Sequence, residues 1–158
     1  GLRVTGSELV GLVPLNALLE AGRFFLKKQG RSIGVSDKEL IHIAVKSMGL
    51  DELAPFVPEK KIIEYLLDNK QEKKLISMDL VSFADETASE SPAPGGGSIS
   101  AYVGVLGASL ATMVANLSAG KRGWEDQLDY FSNLAEEGQR IKSNLLFLVD
   151  EDTKAFNK

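Results

Sequence analysis

Two aspartates near the carboxyl end of the chain, Asp152 and Asp150, have the side chains best suited to acid–base chemistry. They stand two positions apart in a predicted helix, so their side chains lie about 200° apart around its axis and do not share a face. One carboxyl group can therefore enter a cleft while the other faces solvent. A carboxyl group in a partly buried cleft can act as a general acid or base. A solvated acidic helix surface is the alternative interpretation of these residues.

A second candidate is the glycine-rich segment that contains Gly95, Gly96, Gly97 and Ser98. Backbone N–H groups at the start of a helix carry partial positive charge, and glycine lets an anion approach them closely. The segment has no lysine where a phosphate-binding loop requires one, and no strand-like run leads into it as in a dinucleotide-binding motif. The pattern predicts a close backbone approach, either to a ligand or to a neighbouring helix.

Two cations, Lys121 and Arg122, follow the apolar helix that this segment opens. Such side chains could bind a carboxylate or a phosphate. They could equally interact with the negative end of the helix dipole. The residue types leave both interpretations open.

Several other chemistries are excluded by composition. The chain has no cysteine and a single histidine, His42. It therefore lacks disulfides, thiolate metal sites and a histidine metal site, and no nucleophilic triad can be assembled from it. We interpret His42 as a structural or surface residue, and we expect no metal cofactor.

The charge of the chain is unevenly distributed. The 158 residues are 44% hydrophobic and 25% charged, as in soluble globular proteins. Residues 1–74 carry 12 Lys and Arg against 10 Asp and Glu, whereas residues 75–158 carry 6 against 12, which suggests two units. Neither part has a dense basic stripe, so we expect no nucleic-acid partner.

The first residues lack the layout of a signal peptide, so we expect a cytoplasmic protein.

Hydrophobic periodicity predicts a mainly α protein with a short strand at residues 2–5. A polar linker, residues 68–76, separates a first domain, residues 1–67, from a second, residues 77–158. Small helices make up the first domain, and long antiparallel helices of a helical bundle make up the second. Capping residues and prolines place the helix starts at or near Pro14, Ser36, Pro58, Ser77, Ser98 and Trp124.

The helix predicted from Ser98 to Leu117 is apolar on nearly every side, which is typical of a buried helix. Its length nearly suffices for a membrane span. Its serines, threonine, asparagine and internal glycines argue against one, so we expect a bundle helix and no membrane. Small residues at spacings of three and four would let another backbone come close: Ala101, Gly104, Gly107, Ala108, Ala111 and Ala115.

Two sets of short motifs, one in each predicted domain, occur in order along the chain. The first set comprises Val-Thr-Gly-Ser-Glu-Leu-Val-Gly-Leu-Val-Pro-Leu at residues 4–15 and Ile-Ile-Glu-Tyr-Leu at residues 62–66. The second comprises Ala-Pro-Gly-Gly-Gly-Ser at 93–98, Gly-Lys-Arg at 120–122 and Leu-Val-Asp-Glu-Asp-Thr-Lys-Ala-Phe at 148–156. Together they resemble the formiminotransferase-cyclodeaminase family. The first set is similar to the end of the formiminotransferase C-terminal subdomain, and the second to the start of the cyclodeaminase domain.

The resemblance implies folate-dependent one-carbon chemistry in histidine degradation. A formimino group would pass from formiminoglutamate to tetrahydrofolate, the substrate and one-carbon carrier. Cyclodeamination would then convert 5-formiminotetrahydrofolate to 5,10-methenyltetrahydrofolate and release ammonia. The resemblance also implies a homo-oligomer formed through the helical domain. It further implies that the chain spans the junction of the two activities and is inactive alone.

The resemblance assigns roles to the candidate residues. Asp152 would protonate the leaving amine, with Asp150 as the second catalytic candidate. His42 does not match the catalytic histidine of the family and receives no role. The folate-binding residues would be Gly95, Gly96, Gly97 and Ser98 in the pocket, with the glutamate tail of the folate held by Lys121 and Arg122.

Two other functions fit parts of the pattern. A methenyltetrahydrofolate cyclohydrolase would share the glycine-rich element but would not need the first domain. A non-catalytic helical dimerisation module would pair subunits through the long helix. Such a module would not bind folate and would be indifferent to the substitution Asp152→Asn.

Overall fold

The computed structural model describes residues 7–67 and 75–156 of the chain. It divides into two compact units, Gly1–Gln71 and Glu72–Lys158. The described residues form helices and no sheet, which confirms the predicted mainly α fold. The α-helices in this part of the chain are α1 (Leu15–Lys28), α2 (Asp37–Met48), α3 (Pro58–Lys61), α4 (Ile63–Leu67), α5 (Leu80–Thr87), α6 (Gly96–Ala119) and α7 (Leu128–Phe156).

Two predicted features fall wholly or partly outside the described residues. The short strand at residues 2–5 is one of them. The linker is the other, because residues 68–74 are not described. Its last two residues, Leu75 and Ile76, belong to a 3-10 helix, Leu75–Ser77, and so are not an irregular connection.

The first unit is organised by the packing of α1 against α2. Pro14 directly precedes α1 rather than forming its first residue as predicted. The Ser36 hydroxyl caps α2 by accepting the Glu39 N–H at 3.3 Å, as the capping motif predicts. A Cβ at Gly22 would lie 2.8 Å from the carbonyl carbon of Leu40, so the two helices approach this closely because Gly22 has no side chain. The core of the unit contains Leu18, Ile41, Ala44, Val45 and Ile62.

The segment of residues 7–13 forms isolated bridges. The Val13 N–H donates to Lys61 O at 2.9 Å, and the Ile63 N–H donates to Val13 O at 3.1 Å. A second isolated bridge lies nearer the start of the segment. Within the described residues these bridges tie the segment to the helical core without building a sheet.

The first α-helix of the second unit, α5, is capped by Asp79, and the prediction that Ser77 caps it is wrong. Ser77 ends the preceding 3-10 helix. Asp79 Oδ1 accepts the N–H groups of Val81 and Ser82 at 3.0 Å, and Oδ2 accepts the Ser82 hydroxyl at 2.6 Å. These bonds, led by those from Ser82, hold the pKa of Asp79 below its ordinary value of 3.8.

The helices α6 and α7 lie antiparallel and form the body of the second unit. Four buried residues of α6 recur at intervals of seven, Ser98, Val105, Thr112 and Ala119, and a fifth, Ala115, lies three positions after Thr112. Contact with α7 is close: a Cβ at Gly138 would lie 3.2 Å from the Thr112 Cβ. Small residues therefore let the two backbones come close along the contact between α6 and α7, which we call the seam, as the sequence pattern predicts.

The face of α6 away from α7 is exposed or half-buried in this chain, so the prediction of a helix buried on all sides is wrong here. Within the described residues α7 makes the extensive contact with α6, and Phe83 of α5 adds a ring contact with Tyr102 at 5.4 Å between centroids, so one face of α6 stays uncovered. By length and composition α6 could cross a membrane. The apolar residues that are more than half exposed on it are Val103, Leu106, Leu110, Val114 and Leu117.

The loop after α6 begins at Gly120, directly after the last helical residue, Ala119. Gly120 has φ −93°, a value open to other residues. The left-handed glycine of the loop is Gly123, with φ +85°. Its N–H donates to the Glu125 carboxylate at 2.9 Å, and this bond is the main cause that lowers the pKa of Glu125. A 3-10 helix, Glu125–Gln127, then leads into α7, which starts four residues later than predicted.

We expect the Asp79 cap to make the stability of the second unit depend on pH. Because the folded-state pKa of Asp79 is lowered, its contribution is complete above the ordinary value of 3.8 and is lost as the pH falls through the folded-state pKa. Asp79→Ala should therefore lower the thermal midpoint at neutral pH and have little effect in strong acid. Asp85→Ala on the same helix is the control. Circular dichroism melts at both pH values test this, and an effect that persists undiminished in acid would contradict it.

Candidate active site

The N-terminus of α6 has no cap of its own, because the residue before it, Gly95, has no side chain. Asp152 of α7 supplies the missing acceptor. Its Oδ2 accepts the Ser98 N–H at 2.9 Å and the Ser98 hydroxyl at 3.1 Å. The single proton of this hydroxyl is shared with Val149 O at 2.8 Å, and Ser98 is fully buried. A carboxylate at this position also interacts favourably with the positive end of the helix dipole.

The three glycines at this helix start have different surroundings. A Cβ at Gly97 would lie 2.5 Å from Asp152 Cγ, so the carboxylate occupies the space that a side chain would need. At Gly95 the nearest atom would be 3.9 Å away, and at Gly96 nothing lies within 4 Å. The predicted close approach therefore occurs at Gly97, and its partner is a side chain of the neighbouring helix.

The two oxygens of the Asp152 carboxylate play different parts. Oδ2 is held by Ser98, whereas Oδ1 lies closest to Gly97 and forms no hydrogen bond within the described residues. The Asp152 residue is exposed despite these contacts. The carboxylate thus has one oxygen held by Ser98 and one without a hydrogen-bond partner in the described part of the chain.

Asp150 has a different environment from Asp152. Its Oδ1 is buried and has no hydrogen-bond partner in the part of the chain that the structure describes. A buried carboxylate oxygen without a partner is costly, so such a position marks a place where another group can bind. No group of three or more His, Asp or Glu side chains suited to a metal ion occurs within residues 7–67 and 75–156.

Lys121 and Arg122 lie beyond the opposite end of α6 from Asp152. The helix has 24 residues, which corresponds to about 36 Å at 1.5 Å per residue. The structure therefore brings Asp152 and Ser98 together but leaves the two cations far from them. Lys121 Nζ lies 4.1 Å from the centroid of the Trp124 ring, a cation–π contact that gives this lysine a structural partner.

A groove with a volume of about 430 Å³ lies between the carboxyl-terminal half of α6 and α7. Sequence reasoning did not predict it. Its signal in the sequence is the recurrence of polar residues at spacings of three and four, at Ser109, Thr112 and Asn116, within a mainly apolar helix. The polar residues that line the groove are Ser109, Thr112, Asn116, Gln139 and Lys142.

The first unit has a cavity of its own, with a volume of about 410 Å³, beside α2. His42 lines it and is exposed, in keeping with a surface residue. Tyr65 also lines it, and burial raises the pKa of its phenol, with further increases from the charges of Asp37, Glu59 and Glu64. These carboxylates make the surroundings of Tyr65 better suited to neutral or cationic groups than to anions.

Comparison with known proteins gives matches in both units. A family model described as "Formiminotransferase-cyclodeaminase" matches residues 79–158, and one described as "Formiminotransferase domain" matches residues 1–68. The formimidoyltransferase-cyclodeaminase of Rattus norvegicus is 41% identical over 156 residues, which are 98% of this chain and 29% of the relative. That of Gallus gallus is 40% identical over 157 residues, which are 99% of this chain and 29% of the relative.

The chain belongs to the formiminotransferase-cyclodeaminase family. The resemblance inferred from the motifs is therefore confirmed. The chain spans 29% of the length of these curated relatives. A methenyltetrahydrofolate cyclohydrolase from Methylorubrum extorquens is 33% identical over 76 residues, 48% of this chain and 36% of that relative. The cyclohydrolase match thus covers a smaller part of the chain than the bifunctional relatives do.

The glycine-rich element of this family member offers a direct test of the Asp152 contact. We expect Gly97→Ala to displace the carboxylate and destabilise the second unit by about 1 kcal/mol, the size of a typical hydrogen-bond contribution. Gly96→Ala, one residue earlier in open space, should change stability by less than about 0.5 kcal/mol. Urea unfolding followed by fluorescence of Trp124, the single tryptophan, measures both. Equal effects of the two substitutions would contradict this reading of the site.

Proposed function

We propose that this chain is part of a bifunctional, folate-dependent one-carbon enzyme of histidine degradation. The domain of residues 1–67 would belong to the transferase, which moves a formimino group from formiminoglutamate to tetrahydrofolate. The domain of residues 77–158 would belong to the cyclodeaminase, which forms 5,10-methenyltetrahydrofolate and ammonia. The order of the two family matches supports this assignment. The observation that carries it is the Asp152 carboxylate held at the glycine-rich start of α6.

Cyclodeamination requires a proton transfer that Asp152 is positioned to perform. The N10 nitrogen of the folate attacks the formimino carbon, and the bond from that carbon to the departing nitrogen then breaks. Asp152 Oδ1 would accept the proton that N10 loses and then donate it to the departing nitrogen, which leaves as ammonia. Ser98 would hold Oδ2 during both steps, so that the second oxygen keeps its position relative to the substrate.

The surroundings of Asp152 fit a flat ring system such as the pterin of tetrahydrofolate. Gly96 is exposed and has no neighbouring atom within 4 Å of where a side chain would begin. Gly95 likewise has room for ordinary contacts. A planar ring could therefore approach the backbone beside Oδ1. In this proposal the residues nearest the pterin are Gly95, Gly96, Gly97 and Ser98.

The role of Asp152 is tested by three substitutions at neighbouring positions. Asp152→Asn should keep the fold, because an amide oxygen still accepts the Ser98 N–H, but it removes the proton-transfer group. We expect the rate of ammonia release to fall by about 10²- to 10⁴-fold. Glu151→Gln, which removes an exposed charge paired with Lys154, is the control and should leave the rate unchanged. Asp150→Asn tests the second candidate.

The measurement is made on the protein as its gene encodes it, with 5-formiminotetrahydrofolate as substrate and Trp124 fluorescence as the check on folding. Full activity of a folded Asp152→Asn variant would contradict the mechanism. A loss confined to Asp150→Asn would transfer the catalytic role to Asp150. Cyclodeaminase activity that is absent from the parent protein as well would favour the non-catalytic dimerisation module.

We also propose that the protein is a homo-oligomer that associates through α6. The support is the stripe of exposed apolar side chains on this helix, with Leu110 61% exposed and Val114 58% exposed. A contiguous apolar stripe of this kind is typical of an association surface in a protein dissolved in water. The seam with α7 contains Gln139 and Lys142, which suits an aqueous environment better than a lipid one. We accordingly propose a cytoplasmic protein without membrane or nucleic-acid partners.

The association surface can be tested by adding one charge to it. Leu110→Glu should shift the protein from oligomer to monomer, because an unpaired carboxylate would be buried in the interface. Val10→Glu, at an apolar residue of the first unit that is 85% exposed, is the control. Sedimentation velocity reports the masses of the parent and both variants. A monomeric parent, or an oligomer that Leu110→Glu leaves intact, would refute the proposal.

A further inference from the structure

The cavity beside α2 lies in the first unit, whereas the residues assigned to catalysis and to folate binding lie in the second. One wall of the cavity is a face of α2, because its lining residues at positions 38, 41, 42 and 45 recur at helical spacing. The rest of the lining comes from the segment of residues 51–65. The volume of about 410 Å³ is typical of a site for a small molecule.

Apolar and aromatic side chains form much of this lining. Ile41 and Val45 are buried members of the core cluster, and Phe56 and Tyr65 pack against the same cluster. All four also line the cavity, so the core of the unit is open to a ligand here. Aromatic rings pack well against other rings and attract a cation to their faces. The lining therefore suits a ligand with an apolar body and a positive charge.

The charges that act on the Tyr65 phenol are negative. Burial is the main cause that raises the pKa of this phenol, and the carboxylates of Asp37, Glu59 and Glu64 raise it further. The phenol is therefore neutral at neutral pH. Tyr65 Oη forms no hydrogen bond within residues 7–67 and 75–156, so its oxygen can accept one. An ammonium group beside it would gain an acceptor and the attraction of the carboxylates.

Two carboxylates, Asp51 and Glu59, line the cavity, and they differ in availability. Asp51 is already paired with Lys46, whose Nζ lies 2.5 Å from Asp51 Oδ2. Glu59 forms no ion pair within the described residues, so its charge is available to a ligand. Lys38 also lines the cavity, but it is not among the charges that shift the pKa of Tyr65. The part of the cavity at Tyr65 and Glu59 is thus the place for a cation.

We propose that this cavity binds a small arylalkylammonium ion. Its aromatic ring would pack against Ile41, Val45 and Phe56. Its ammonium group would donate to Tyr65 Oη and to the Glu59 carboxylate. The site is separate from the one proposed for cyclodeamination, so binding here does not rest on the proposed function.

The first test compares ligands that differ in charge or in the ring, by isothermal titration calorimetry on the protein as its gene encodes it. Phenethylammonium should bind, and added salt should weaken that binding. The neutral 2-phenylethanol should bind at least about fivefold more weakly, since it lacks the charge, and 3-phenylpropionate should not bind. Butylammonium, which has the stem of a lysine side chain and no ring, should also bind more weakly.

Several results of this comparison would overturn the proposal. They are no binding of phenethylammonium, equal binding of 2-phenylethanol, and binding of 3-phenylpropionate. Tighter binding of butylammonium than of phenethylammonium would also overturn it, because the site would then fit a lysine side chain of a partner protein better than an arylalkylamine. Phenylalanine, which adds a carboxylate, should bind more weakly than phenethylammonium, and tighter binding would reassign the cavity to a zwitterion.

The second test uses substitutions with opposite expected signs. Glu59→Gln should weaken phenethylammonium binding up to about fivefold, whereas Lys38→Gln should strengthen it about twofold, because it removes a repelling charge. Both residues are exposed, so the fold should tolerate either change. Tyr65→Phe should weaken binding because it removes Oη and keeps the ring. Glu52→Gln, at an exposed acid of the same unit outside the lining, is the matched control and should change nothing.

The opposite signs separate a direct charge effect from a general loss of structure, which would weaken binding in both variants. Circular dichroism of each variant checks its fold. Weaker binding by a folded Lys38→Gln variant, or equal effects of Glu59→Gln and Glu52→Gln, would overturn the proposal.

Discussion

The hydrogen bond from the Ser98 N–H to the Asp152 carboxylate joins the ends of two helices that are 54 positions apart in sequence. A helix N-terminus presents N–H groups that need acceptors, and α6 begins at glycines that cannot provide one. Asp152 of α7 supplies the acceptor. The contact fixes this part of α7 against the start of α6 and explains why Gly97 must leave room for the carboxylate.

The same carboxylate connects the architecture of the second unit to its proposed chemistry. An oxygen held by two hydrogen bonds positions the other oxygen, and catalysis depends on such positioning within a fraction of an ångström. Further along the seam, polar side chains gather where the backbones are closest, around Thr112 and Gly138. The Asp152 site and the groove thus both lie where α6 and α7 meet, and the exposed apolar face of α6 reaches the groove at Leu117.

Much of this organisation could be predicted from local patterns. Helix periodicity, the Ser36 cap and the small residues of α6 all correspond to observed features, because each depends on residues close in sequence. The sequence alone does not identify Asp79 as the cap, because Ser77 is an equally suitable capping residue. In the structure Ser77 ends a 3-10 helix, and Asp79 is the residue that directly precedes α5. The partner of Gly97 and the groove around Lys142 depend on α7 lying beside α6, which no local pattern specifies.

The regular spacing of Ser98, Val105, Thr112 and Ala119 has a geometric consequence. Buried positions that repeat every seven residues require 3.5 residues per turn, slightly fewer than a straight α-helix has, so a pair of helices with this repeat coils left-handedly. The repeat also fixes how far one end of α6 is rotated about the helix axis relative to the other end. A single inserted residue between Val105 and Thr112 would turn one end by about 100° relative to the other. Either Asp152 would stay in contact with Ser98 and Thr112 would turn away from α7, or Thr112 would stay against α7 and Ser98 would lose its contact with Asp152.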